Sequence, residues 1–429
     1  QFTLPRRLAF APLLIAACHF QNVPLIQVGV SFSLCKLVIL AGLLRAARER
    51  ALSFTRQPLD LWVLAWAAWM VLSGLAHNPK DHNPITIRLS VIYDMAGAYL
   101  YARSFIRNQE DFLRFCRCLA LVVLPLALIV LVEKATNRNL YGMLAGGLEL
   151  AEVRQGRVRA VGPFGHAILL GAFAATSIPL LASMRGGNPR WRVAGIVACA
   201  LIVVGSASSG PLLALFAGLA GLALWRWRTR MAVIRRLAVL GLIGLHLVMK
   251  APVWYLMARI DLAGGSTGWH RAELVSAALK HLDEWWLIGT DYTRHWIAYG
   301  VGWSQYHVDM TNYYISMGVT GGLLLMGCFV GILIKAFQSL GRGMRTMREV
   351  NDPREFILWC VGTCLFAHCV TFLSISYFDQ SNITFAMVVG TVPGLSTVFY
   401  PADGLAPNVQ EPHSAGWDQT LVTGECSAS

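Results

Sequence analysis

The chain has 429 residues, of which 56% are hydrophobic and 14% charged, and its mean hydropathy is +0.53. That is too apolar for a soluble domain of this length. Apolar runs of membrane-spanning length recur from end to end, and runs such as LVVLPLALIVLV exclude the short alternating strands of a β-barrel. A formal charge of +13 would suggest nucleic acid in a soluble protein. Here the basic residues gather in short loops between apolar segments, the signature of cytoplasmic loops, so no nucleic-acid partner is expected.

Arg45–Arg56, Arg103–Arg117, Arg185–Arg192, Arg226–Arg236 and Lys335–Arg354 mark successive basic loops. Between them the apolar lengths predict an all-α, polytopic membrane protein with about twelve spans and both termini cytoplasmic. The predicted spans are 8–25, 27–45, 59–77, 86–105, 119–135, 163–184, 193–207, 210–226, 237–256, 311–335, 356–377 and 380–400. The first is read as a span because Arg6 and Arg7 precede no small-residue cleavage site. Residues 1–257 thus carry nine spans, with a first exported loop near 137–162. Residues 258–310 form a large exported loop carrying short helices, 311–400 the last three spans, and 401–429 a polar cytoplasmic tail expected to be disordered. Cysteines fall mainly inside spans, so neither a disulfide framework nor a thiolate metal cluster is expected.

Exported loops should be poor in Lys and Arg, yet the first carries Arg154, Arg157 and Arg159 and the second Arg271, Lys280 and Arg294. Long loops tolerate such charge; an anionic substrate at the outer surface is the other reason for it, since a guanidinium fork fits phosphate oxygens. Arg159 precedes the turn Gly162-Pro163, and Arg271 opens a helix after the Gly264–Gly268 turn, capped by Ser266 or Thr267. A cation in a first turn opposes the helix dipole, so Arg271 is not there for helix stability. Leu274, Ala277, Ala278 and Leu282 stripe this helix, which is expected to lie at the membrane surface with Trp285 and Trp286 as interfacial anchors or a stacking platform for a sugar.

His307 stands at the mouth of the tenth span, followed by Asp309, Asn312, Gly318 and Gly321. The glycines are read as a close-packing face for another span. An imidazole there can take a proton from a hydroxyl; Asp309 or Asn312 can orient it, and Asp309 can itself be the base. His166 and His270 are accessory candidates, and His281 and His295 lack tight ligand spacing, so no metal site is expected. Arg88 and Asp94, on a predicted span, are expected to pair or to face a cavity, with His246, Lys250 and His368 ranked below them.

These pieces resemble the O-antigen ligase and Wzy-type polymerase superfamily. His307, the single residue Val308, nine residues from Asp309 to Met317 and Gly318-Val-Thr-Gly321 match the spacing of its His and GxxG motif; RAVGPFGHAILLGAF resembles its Arg entry into a middle span, GSASSGPLLAL its small-residue turn, and STGWHRAELVSAALKHLDEWWLIGT its exported Arg helix. The order agrees from about Leu59 to Ala336. The departure is Val308, where the family has Asn, Ser, Thr or Gln.

The resemblance implies a GT-C-like fold in a bacterial inner membrane. It also implies metal-independent, inverting transfer of a glycan from a polyisoprenyl (undecaprenyl) diphosphate carrier to an acceptor hydroxyl on the periplasmic face, with no cofactor. Arg159, Arg271 and Arg157 would hold the diphosphate, His307 or Asp309 would act as base, and Asn312, His166, His270, Arg294, Trp285 and Trp286 would line the site. Partners would be the lipid-linked donor, a glycan acceptor, membrane lipids and a chain-length regulator or export complex. A polymerase for exopolysaccharide or O-antigen is preferred over a ligase to lipid A core. A flippase of lipid-linked sugars is the rival of another class, although its polar residues should concentrate at mid-membrane.

Overall fold

The computed structural model describes residues 2–28, 30–52, 57–78, 83–145, 149–186, 189–259, 268–297 and 304–397. The expected tail and the residues 264–267 of the predicted turn lie outside them. Among the described residues, four helical stretches are long and apolar enough to cross a membrane: Pro58–Leu75, Gln109–Thr136, Ser209–Val248 and Tyr313–Glu349.

The architecture is all-α with two small antiparallel β-hairpins. Helices α1 (Ala11–His19), α2 (Leu34–Arg48) and α3 (Pro58–Leu75) are followed by α4 (Pro84–Ile92), which runs through a π-helical turn into α5 (Ala98–Phe105). The long α6 (Gln109–Thr136) and the short α7 (Leu140–Ala145) lead to a central run of α8 (Ala167–Ala182), α9 (Pro189–Gly205), α10 (Ser209–Ala223) and α11 (Met231–Val248). The loop helices α12 (Gly268–Lys280) and α13 (Leu282–Trp285) precede α14 (Tyr313–Glu349), α15 (Glu355–Thr371) and α16 (Gln380–Thr397). The hairpins are β1 (Pro24–Val28) with β2 (Val30–Ser33), and β3 (Glu152–Arg154) with β4 (Arg157–Arg159).

Helix α8 is apolar all round and buried on nearly every side, packed against α6, α9, α10 and α15, as a helix without a polar face must be. By contrast, α11 buries none of its residues and turns Leu237, Leu240, Leu247 and Val248 outward.

The first two predicted spans are corrected. They shorten to α1 and α2, with β1–β2 between them in the register Ile26↔Phe32 and Val28↔Val30. The segments IQV and VSFS alternate with period two, a pattern that high overall hydropathy hides. Arg88 and Asp94 do not pair as expected. Six positions apart, they stand about 120° apart around a helix. Arg88 donates to Ser73 Oγ at 3.1 Å and to the Thr320 carbonyl at 2.5 Å, while Asp94 lies 3.8 Å from Lys36 Nζ.

Helix α14 is interrupted at Gly321 (φ −154°) and Gly322 (φ 77°). The polar groups freed there are taken up by other elements: Trp69 Nε1 donates to the Gly321 carbonyl at 2.7 Å, and Thr290 N–H to the Val319 carbonyl at 2.9 Å. Leu323 N–H donates to the Trp286 carbonyl at 2.8 Å. A Cβ on Gly318 would strike the Trp285 ring, and one on Gly322 the Leu287 carbonyl. Gly318 and Gly322 thus receive segment 285–290 of the loop, whereas Gly321 lies against Ser73 of α3, so the expected close packing of another span holds at Gly321 and not at Gly318.

Gly322→Ala sets a side chain against backbone at positive φ. It should lower the thermal midpoint in detergent by the equivalent of about 2 kcal/mol or more, whereas Gly327→Ala, facing open space, should leave the melt unchanged.

Candidate functional site

The end of α6, the start of α8, the α9–α10 turn, the start of α12, the approach to α14 and the α15–α16 connection meet at one end of the bundle. Hydrogen bonds join them: Ala160 N–H to the Gly205 carbonyl at 3.1 Å, Tyr313 N–H to the Phe372 carbonyl at 2.8 Å, and Arg271 Nε to the Ser374 carbonyl at 2.9 Å.

Arg159 is delivered by the β3–β4 hairpin. Gln155 and Gly156 both have positive φ (50° and 72°), the two-residue turn whose twist suits a hairpin. The register sets Glu152 opposite Arg159 and Arg154 opposite Arg157, so one face carries three cations and one carboxylate. Like charges directly opposite each other destabilise a hairpin, so local stability does not explain this face. Beyond Arg159 the chain is clamped. Both oxygens of the buried Glu133 accept backbone N–H groups, from Val161 at 2.8 Å and Gly162 at 2.9 Å, and Asn139 Nδ2 donates to the Gly162 carbonyl at 3.1 Å.

Arg159 is only 4% exposed. It forms an ion pair with Glu152 and donates Nη2 to Ser208 Oγ at 2.8 Å, and its buried Nε has no partner among the described residues. Arg271, 8% exposed, makes its single hydrogen bond among those residues to Ser374. Burial pushes the Arg271 guanidinium down to about 10; Arg154 and Arg159 add to the shift and Asp309 opposes it. Burial likewise lowers Arg159, against the charge of Glu152. His166 caps α8, its Nδ1 accepting the Ile168 N–H at 3.0 Å. Burial and the cations Arg159 and Arg154 hold this imidazole below the ordinary histidine range, against Glu152 and Asp309. Arg154, Arg159, Arg271, His166, Glu152 and Asp309 therefore act on one another as one cluster.

His307 is held within the loop. Its Nδ1 lies 3.5 Å from Thr293 Oγ1, and its N–H donates to Ser304 Oγ at 3.0 Å. Val308 N–H donates to Thr293 Oγ1 at 3.1 Å, and the Val308 side chain is buried in a small core with Leu274, Ala278, Trp285 and Trp296. This explains the apolar residue after the histidine: the position points into the loop's own core. Asp309, half-exposed, is the neighbour that shares the field of Arg271 and His166.

Several expectations change. Asn312 caps α14, its Oδ1 accepting from Tyr314 and Ile315 N–H at 3.1 and 3.2 Å, so that oxygen is committed to the helix and not to His307. Trp285 is buried on Gly318 with Nε1 donating to the Ala278 carbonyl at 2.8 Å, so it is neither an interfacial anchor nor a stacking platform; Trp286 remains half-exposed. The apolar stripe of α12 packs into the loop core and onto Val319 of α14, not onto a membrane surface. Arg157 is exposed at the hairpin tip; Arg294 is half-buried with a buried Nη1 unpartnered among the described residues; His270, half-buried, precedes Arg271 on α12.

Sequence reasoning missed Glu133, Glu152, Ser208 and Ser374. Glu133 carried a signal, a carboxylate closing an apolar run; the others are brought in by tertiary contact alone. No protein-family model matches the chain, and no curated protein matches it.

Removing the Glu133 acceptor strands two buried N–H groups, each at a cost of about 1–3 kcal/mol. Glu133→Ala should lower the thermal midpoint well below that of Glu133→Gln, which keeps one acceptor oxygen. A wild-type melt for the alanine variant would mean that Glu133 does not clamp this turn. His166 contributes stability above the ordinary histidine range, and this is lost as pH falls through its lowered value, because protonation removes the capping lone pair. Paired melts across pH should show the wild type losing ground in acid against His166→Asn, which caps without titrating.

Proposed function

We propose that the chain is a membrane glycosyltransferase that transfers a glycan from a polyisoprenyl diphosphate to an acceptor hydroxyl at the exported face of a bacterial inner membrane. The observation that carries this reading is the pair Arg159 and Arg271, both buried at one end of an apolar bundle with Arg154 beside them. Burying a cation without an adequate counter-charge costs several kcal/mol, and a diphosphate held between the guanidiniums offsets that cost. Counting α4 and α5 as one and omitting α7, α12 and α13 leaves twelve helices, the number this reading takes as crossings.

In this reading the donor diphosphate displaces Glu152 from Arg159 and is held by both arginines. The acceptor oxygen attacks the anomeric carbon from the opposite face as its proton passes to Asp309 or His307. The bond from that carbon to the diphosphate oxygen breaks, its electron pair stays on the diphosphate, and configuration inverts. The guanidiniums favour the charge that develops there. Asp309 has the electrostatic link to Arg271 and His166, whereas His307 is tied to Thr293. The polymerase reading stands first and the ligase reading second; they differ only in the acceptor.

Purified protein given a lipid-linked repeat unit, with and without lipid A core, tests this. Longer chains on the carrier mean polymerase and core-linked product means ligase; transport without either product returns the flippase. Arg271→Ala should reduce transfer by about a thousandfold with the melt retained. Comparing Asp309→Asn with His307→Ala identifies the base: whichever abolishes transfer while the other retains most of it.

A further inference from the structure

Away from the arginine cluster, the loop returns His295 to the neighbouring pair His281 and Glu284. His281 follows α12, Glu284 lies in α13, and His295 lies in the 3₁₀ turn Arg294–Trp296. His281 Nδ1 is 2.7 Å and His295 Nε2 2.8 Å from the same oxygen, Glu284 Oε1. The candidate ligand atoms all lie within 4.8 Å of one another. The other carboxylate oxygen is engaged by Trp296 Nε1 at 2.9 Å. Both rings are oriented by stacking: His281 on Trp296 at 5.7 Å and 7°, His295 on Tyr292 at 5.1 Å and 10°.

We propose that His281 Nδ1, His295 Nε2 and Glu284 Oε1 form a binding site for a divalent transition-metal ion of the zinc class. Two imidazoles and a carboxylate are a ligand set of that class and not of magnesium or calcium, which take oxygen ligands. An ion with bonds of about 2 Å in tetrahedral geometry separates its ligand atoms by roughly 3.3 Å. The rings therefore need to open by about half an ångström each, which half-exposed side chains permit. Water would fill the remaining position. The Trp296 N–H on the second carboxylate oxygen is the outer hydrogen bond that orients metal-binding carboxylates.

The ion would tie the end of α12 to the 293–296 turn. That turn accepts the Val308 N–H on Thr293 Oγ1 and donates its Thr293 N–H to the Tyr306 carbonyl at 2.8 Å. A staple there steadies the approach to His307 without touching the arginines.

The test is metal binding, read without any glycan substrate. Untagged, chelator-stripped full-length protein in detergent is titrated with ZnCl2 by calorimetry, with MgCl2 as control, and bound metal is counted after dialysis. One equivalent of Zn2+ should bind, Mg2+ should not compete, and Glu284→Ala and His295→Ala should each lose that equivalent while keeping the elution volume of the wild type. Co2+ in place of Zn2+ should give visible ligand-field absorption that both variants lack. Trp296→Phe, which keeps a ring to stack and loses the N–H, should weaken binding about tenfold. Equal zinc binding by the wild type and His295→Ala, or no binding by the wild type, would overturn the site.

Discussion

Burying two guanidinium groups at the end of an apolar bundle is the constraint around which the rest of this end is organised. Each must leave water, and among the described residues neither has enough partners: Arg159 leaves Nε unbonded, and Arg271 rests on a single carbonyl. Such an arrangement holds only if the backbone that carries it is over-determined. Glu133 supplies much of that rigidity, since a carboxylate accepting two backbone N–H groups fixes the turn after Arg159 in position and direction. Small residues supply the access. The Gly205–Ser208 turn brings a carbonyl to Ala160 and a hydroxyl to Arg159.

The second constraint is the break in α14. A continuous helix would satisfy its own carbonyls and offer the loop nothing to bind. By leaving helical geometry at Gly321 and Gly322, α14 presents backbone groups that Trp69, Arg88 and the 286–290 segment take up. Non-helical backbone in an apolar protein is tolerated where protein buries it and satisfies it. The same junction seats Trp285 on Gly318 and, through the loop core, sets Val308 inward and Asp309 outward.

Much of the candidate site was legible because charge in the wrong place is costly. Arg159 and Arg271 stood out as cations on loops that should lack them, and both are buried in one cluster. The roles of Asn312 and Trp285 were misread. A cap and a packing tryptophan carry the same residue types as a polar contact and a membrane anchor, and only the partner atom tells them apart. The hairpin β1–β2 was hidden because hydropathy averages over the period that distinguishes a strand from a span.

The sequence by itself determined the class: an all-helical protein of membrane character, its basic loops and its candidate anion-binding arginines, because hydropathy and charge act through composition over windows of residues. The tertiary structure alone decided which of those residues meet. Glu152, Ser208 and Ser374 belong to different segments, and the trio His281, Glu284 and His295 spans a helix end and a turn. Contacts of that kind depend on how helices end and how loops return, which local pattern does not encode.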